Sequence, residues 1–217
     1  MEVPGPKDRF GLSGRSVSRN WRAFGPKDNM QSTSNHVCPW WMGYLLASPL
    51  RRLWHDPRRI LALHVREGMT VLEPGPGMGF FTLDLAHRVG PAGKVIAIDV
   101  QPKMLDVLAR RARKAGLMSR IELRQPEGDS LKLENLAGGV DFVLAFAVVH
   151  ELPNAERFFK EAAAALKTGG TLLLAEPKGH VNAGDWSRTL HTARDAGLIE
   201  RSKLAIPRSH ATLLSKV

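Results

Sequence analysis

Cysteine and tyrosine each occur once in the 217-residue chain, and aromatic residues make up only 6% of it. With Cys38 alone, no intramolecular disulfide framework and no multi-cysteine zinc site can form. Long apolar runs are also missing. The hydrophobic stretches are strand-sized and fall short of the roughly 18 residues that suggest a membrane-crossing helix. The first residues are polar and rich in Gly, Pro, Ser and Arg, without the apolar segment of a secretory signal. Glu2, Asp8 and Asp28 count against an organellar transit peptide. These features lead to the expectation of a soluble protein in a reducing cytoplasm.

The hydrophobic share of 43% suits a globular core, and the length allows one α/β domain plus an appendage. A net charge of +10 permits attraction to nucleic acid or anionic lipid without establishing it. Residues 1–68 carry eleven basic and five acidic groups, so more than half of the excess lies in the first third of the chain. The densest later cluster, Arg110, Arg111, Arg113 and Lys114, closes a predicted helix, where cations complement the helix dipole. A nucleic-acid partner is therefore disfavoured, though left open.

Three regions are expected. Residues 1–35 have few apolar groups and no periodicity, and read as a disordered extension. Met30 could begin the functional chain. Residues 36–65 read as short helices interrupted near Pro49 and Pro57. Residues 66–217 alternate strands and helices, which predicts a doubly wound, mostly parallel sheet of seven strands. The predicted strands cover 69–73, 94–99, 120–124, 140–146 and 171–176, with a closing antiparallel pair at 198–204 and 210–216. Helices are predicted over 78–89, 102–116, 155–166 and 183–196, and Gly169-Gly170 reads as a turn.

The most informative stretch is VLEPGPGMGFFTLDLA, residues 71–86. A strand ends in Glu73, and Gly75, Gly77 and Gly79 form a loop that opens a helix. Glycines suit a backbone that must turn sharply and approach a ligand closely, and such loops sit at the ligand-binding edge of parallel sheets. A dinucleotide fingerprint counted from Gly75 or Gly77 would need glycine at position 80 or 82, where Phe80 and Thr82 stand. Glu73, two residues before the first glycine, would repel a pyrophosphate but suits the cationic end of S-adenosylmethionine. Asp99 ends the next predicted strand, where a carboxylate can accept ribose hydroxyls.

With EPGPGMG, VIAIDVQPKML, EGDSL, DFVLAFAVVHELPN and LKTGGTLLLAEP in this order, the chain resembles the class I S-adenosylmethionine-dependent methyltransferases over about residues 60–217. It is similar to the small-molecule group that includes ubiquinone and menaquinone biosynthesis. The resemblance implies a Rossmann-like fold with an N-terminal helical lid, S-adenosylmethionine as cofactor and no metal. It places Glu73, Gly75 and Gly77 at the methionine part, Asp99 at the ribose and Met104 near the adenine. Asp129 and Ser130 would face the adenine amino group, and Phe146 would line the cofactor and acceptor pocket. Met104 as plain helix core and Asp129 as a turn residue are equally open readings.

Methyl transfer from a sulfonium needs mainly an in-line acceptor. A base is required only when the attacking atom must lose a proton, and His150 is the candidate, with loop capping as the alternative. Glu151 and Glu176 are weaker ones. Trp40, Trp41 and Tyr44, with Cys38 and Trp54, would build part of the acceptor pocket or simply pack on the sheet. A membrane-surface role for this segment is a further option, suggested by Arg51, Arg52, Arg58 and Arg59. The expected acceptor is a small molecule. RNA is the alternative, and AFAVVHE lacks the Asn/Asp-Pro-Pro-aromatic pattern of base-amino methylation. A non-catalytic cofactor-binding subunit is the third reading.

Overall fold

The computed structural model describes residues 53–126 and 130–217. The first helix, α1 (Pro57–Leu61), starts with proline at its first turn, and the Asp56 side chain accepts the Arg58 amide. Proline lacks only a donor that is unused there, so Pro57 begins a helix in a chain that breaks just before it. Then come β1 (Thr70–Pro74), α2 (Thr82–Val89), β2 (Lys94–Ile98), α3 (Pro102–Lys114), β3 (Ile121–Arg124) and β4 (Val140–Phe146). They are followed by α4 (Ala155–Ala165), β5 (Leu166–Pro177), α5 (Ala183–Asp195), β6 (Leu198–Lys203) and β7 (Ser209–Lys216).

The sheet has seven strands in the order β3-β2-β1-β4-β5-β7-β6, and β7 runs antiparallel to both of its neighbours. This is the expected doubly wound topology. The order reverses between β1 and β4, so ligand space is expected at that edge. Both faces are covered. Val71, Val95, Phe142, Leu144 and Leu173 pack with Leu85 and Leu108 on one side. Leu72, Ile96, Val143, Leu172 and Leu174 pack with Phe159 and Ala162 on the other. This alternation follows the two-residue period of strands, and it decides which tip residues share a face.

Two boundaries move. Residues 78–81 form a turn rather than the first turn of a helix, so α2 begins at Thr82. The Gly169-Gly170 pair lies inside β5 instead of before it: pairing passes from Val140↔Leu166 to Phe142↔Thr171 with a register shift. Gly169 takes φ +75°, a conformation glycine adopts without steric cost. The expected turn is thus a bulge within one twelve-residue strand.

Candidate cofactor and acceptor site

The carboxyl ends of β1, β2, β4 and β5 lie along one edge of the sheet, joined by β7's first residues through Glu176↔His210 and Pro177↔Ser209. At β1, Glu73 is 3% exposed, and at the end of β2, Asp99 is 8% exposed. By strand alternation both lie on the α2 and α3 side. The Asp99 amide donates to the Arg124 carbonyl at 3.2 Å and so extends the sheet by one bond. Burial raises the Asp99 pKa above 3.8 despite the Gln101 and Gly77 amides that favour its charged form. Two shielded carboxylates on adjacent strands are costly to charge. A cation or hydrogen-bond donors placed between them would offset that cost.

The three glycines of the loop differ in what they leave room for. A Cβ on Gly75 would stand 2.7 Å from Val148 Cγ2, and one on Gly79 would stand 2.4 Å from Leu108 Cδ1. Those two allow the loop to press against the residues after β4 and against α3. A Cβ on Gly77 would meet nothing within 4 Å, and its φ is +54°. Here no described atom fills the space beside the backbone. The Gly77 amide donates to Asp99 Oδ2 at 3.1 Å, and the Gln101 amide to Oδ1 at 2.9 Å. The acid thus fixes the loop while keeping further lone pairs. The Arg111 guanidinium donates to the Met78 carbonyl and ties the loop to α3. Arg120 holds the Ala86 carbonyl at 3.2 Å. Both arginines serve the fold as tethers; for Arg111, the helix-dipole reading of its cluster did not foresee this.

Met104, 4% exposed, sits in the first turn of α3 just beyond Asp99. Ser130 is 6% exposed, and its hydroxyl donates to Glu161 of α4 at 2.8 Å. It anchors the chain entering this region. Asp129 lies outside the described residues, as do Cys38, Trp40, Trp41 and Tyr44.

At the tip of β4, the Phe146 ring packs 4.6 Å from Phe81 and 5.1 Å from His55. His55 Nε2 bonds the Pro207 carbonyl at 3.0 Å, and Arg208 lies 4.9 Å over the Trp54 ring. Residues 54–55 therefore rest across Phe146 and the β6–β7 connection. His55 escapes the sequence reading, which weighed Cys38, the Trp and Tyr residues and the arginines of this segment.

Beyond Phe146 the chain turns through Ala147, at φ +55°. Non-glycine residues in this region are strained and tend to mark functional sites. The turn aims the amides of Val148 and Val149 at Glu176 Oε1, at 3.3 and 2.8 Å. Glu176 Oε2 receives His150 Nδ1 in a very short contact, and the Glu176 side chain is 1% exposed. His150, with a side chain 19% exposed, also has Nε2 3.4 Å from His180 Nδ1 and 3.9 Å from Glu151 Oε1. Burial lowers the His150 pKa, but the Glu176 hydrogen bond and the charges of Glu176 and Glu151 outweigh it and raise the value above 6.5. Glu176, ranked below His150 from sequence, is the residue that holds it. His180 was passed over, although its place three residues past the end of β5 put it at the same edge.

A model of the methyltransferase domain matches residues 65–203. The chain belongs to the methyltransferase domain family. The chain is 32% identical over 120 residues to demethylmenaquinone methyltransferase of Lactobacillus johnsonii, covering 55% of the chain and 48% of that protein. It is also 32% identical over 138 residues to the ubiquinone/menaquinone biosynthesis C-methyltransferase UbiE of Sinorhizobium fredii, covering 62% and 52%. The chain thus spans about half the length of the curated relatives it matches. The crystal structure of a SAM-dependent methyltransferase from Aquifex aeolicus superposes with a TM-score of 0.74 at 27% identity, over 83% of this chain and all of that one. The family implies S-adenosylmethionine, and the paired carboxylates with the space over Gly77 fit it. No described helix is long and apolar enough to cross a membrane, and no described cluster of His, Cys, Asp and Glu could hold a metal.

Proposed function

We propose that the chain transfers a methyl group from S-adenosylmethionine to a small-molecule acceptor at the β1–β4 edge of the sheet. The observation that carries this reading is the pair of buried carboxylates, Glu73 and Asp99, at the ends of adjacent strands, with Asp99 bonded to the Gly77 amide beside unfilled space. When bound, S-adenosylmethionine supplies a methyl group on a sulfonium, already a good leaving group. Glu73 faces the cationic methionine part, where its charge is favourable and a pyrophosphate would be repelled. Gly75 and Gly77 let the backbone approach the methionine part. Asp99 accepts the ribose hydroxyls, and Met104 packs at the adenine, together with Asp129 and Ser130. Phe146 separates this seat from the acceptor side, where His150 faces the attacking atom and Trp40, Trp41 and Tyr44 add to the wall. The relatives named for quinone biosynthesis make lipophilic hydroquinones the first acceptors to try.

Calorimetric titration with S-adenosylmethionine and its demethylated product, followed by transfer of labelled methyl to a panel of hydroquinones and other metabolites, tests the reading. Micromolar binding and product formation are expected. Absence of heat with either nucleoside, together with a response to NAD, would overturn it.

A further inference from the structure

We infer that Glu176, His150 and His180 form a proton-accepting relay on the acceptor side, with His150 as the catalytic residue and the other two as positioning residues. This rests on the proposed methyl transfer and adds how the acceptor is activated. Glu176 is almost fully buried, yet among the described residues no Lys or Arg pairs with it. Its Oε1 is occupied by the Val148 and Val149 amides, which fixes the carboxylate in one orientation. Oε2 is left for His150 Nδ1. A carboxylate only accepts hydrogen bonds, so the proton of that contact sits on Nδ1. In the neutral imidazole the lone pair is then on Nε2, the nitrogen away from the buried acid. A histidine held in this way, with its basicity raised by a buried carboxylate, is the arrangement of a general base.

His180 supplies the outlet. Its Nδ1 lies 3.4 Å from His150 Nε2, the rings meet edge to face at 75°, and its own ring is exposed. Its amide bonds the Pro177 carbonyl at 3.0 Å, so the loop after β5 is anchored where Glu176 is. The charged groups facing His150 are Glu176 from β5, Glu151 from the connection after β4 and, when protonated, His180 from the loop after β5. In the step proposed, the bond between hydrogen and the acceptor's attacking atom breaks and its electron pair stays on that atom, which would bond to the methyl as the methyl–sulfur bond of the bound sulfonium breaks and leaves its electron pair on sulfur as a neutral thioether. The proton goes to His150 Nε2, and the imidazolium passes it to His180 Nδ1 while His180 Nε2–H releases a proton to water. Charge and atoms balance without any other reactant. Acceptors with no proton to lose, such as iodide, would not use the relay.

The test combines proton titration of the histidine rings by NMR with turnover of the wild type, His150→Ala, Glu176→Gln and His180→Asn. In Glu176→Gln, the amide nitrogen can be presented to Nδ1, which forces the proton onto Nε2 and removes the base. The His150 midpoint should fall in Glu176→Gln in the absence of any cofactor. Hydroquinone methylation should fall by roughly 100-fold or more in His150→Ala and Glu176→Gln. In His180→Asn it should fall less, about tenfold, with an altered acid limb of the pH profile. Calorimetry should show unchanged S-adenosylmethionine affinity in every variant. An unshifted His150 midpoint in Glu176→Gln, or hydroquinone turnover unchanged in His150→Ala, overturns the relay. A wild type that binds S-adenosylmethionine but methylates no proton-bearing acceptor overturns it too, while leaving the cofactor seat standing. Failure to bind S-adenosylmethionine overturns the reading beneath both.

Discussion

At the scale of single residues, the two charged positions that matter most have opposite responses to pH. Burial makes Asp99 harder to ionise than an ordinary carboxylate, while its proposed work as acceptor for ribose hydroxyls and neighbour of a cation needs the ionised form. Cofactor affinity should therefore weaken on acidification, beginning above pH 3.8, and calorimetry between pH 4.5 and 8 would show it. Asp99→Asn should lose roughly tenfold to a hundredfold in affinity, since hydrogen bonds to charged groups contribute about 1.5–3 kcal/mol. Unchanged affinity would remove Asp99 from the seat. His150 is protonated more readily in the folded chain than in the unfolded one. Its contribution to stability is fully present below pH 6.5 and is lost as pH rises through the higher folded value. Turnover should move the other way, because a base works only once deprotonated. Comparison of Tm between wild type and His150→Asn from pH 5.5 to 8.5 should show an advantage for the wild type that fades upward, as turnover climbs.

At the scale of elements, the glycine loop and the β4 turn are in contact, so the cofactor and acceptor sides are not independent. A methyl group at Gly75 would collide with Val148, whose amide is one of the two that orient Glu176. Gly75→Ala should therefore reduce turnover more than cofactor affinity, and adding Val148→Ala should restore part of it; kcat and calorimetry in a double-mutant cycle measure the coupling. Additive losses would mean that the two turns act separately. Helix α4 offers a control. Asn154 accepts the Arg157 amide at 2.9 Å, and Asn154→Ala should cost about 1 kcal/mol of stability, read from Tm, with kcat unchanged. Most of this level was legible. The range 140–146 is β4 as observed, because its apolar run has one alignment that fills both faces. The proline-led start of α3 was visible for the same kind of reason, since Pro102 can stand only in a first turn. The β5 bulge was not, because a Gly-Gly pair signals a backbone irregularity without saying whether it ends a strand or interrupts it. The Glu176–His150 pair was also hidden: its members lie 26 residues apart, and only the register of β4 against β5 brings them together.

At the scale of the whole molecule, the question is how much of the chain the chemistry needs. The matched family spans residues 65–203, and that range holds Glu73, the glycine loop, Asp99, Phe146, His150, Glu176 and His180. Residues 54–55 add contacts with Phe146, Pro207 and Arg208, on what is proposed to be the acceptor side. Residues 1–29 contribute six basic and three acidic groups to the net charge of +10 and hold few apolar residues from which a core could be built. Their removal keeps every residue of the described sheet and both buried carboxylates in the chain, together with Trp40, Trp41 and Tyr44. A chain beginning at Met30 should accordingly keep its thermal stability, its S-adenosylmethionine affinity by calorimetry and its rate of methyl transfer to within about twofold, surface changes away from buried features being worth little. If the shortened chain binds the cofactor but loses turnover, the first 29 residues belong to the acceptor site. If it loses both, the methyltransferase domain begins earlier than the glycine loop and its covering segment require.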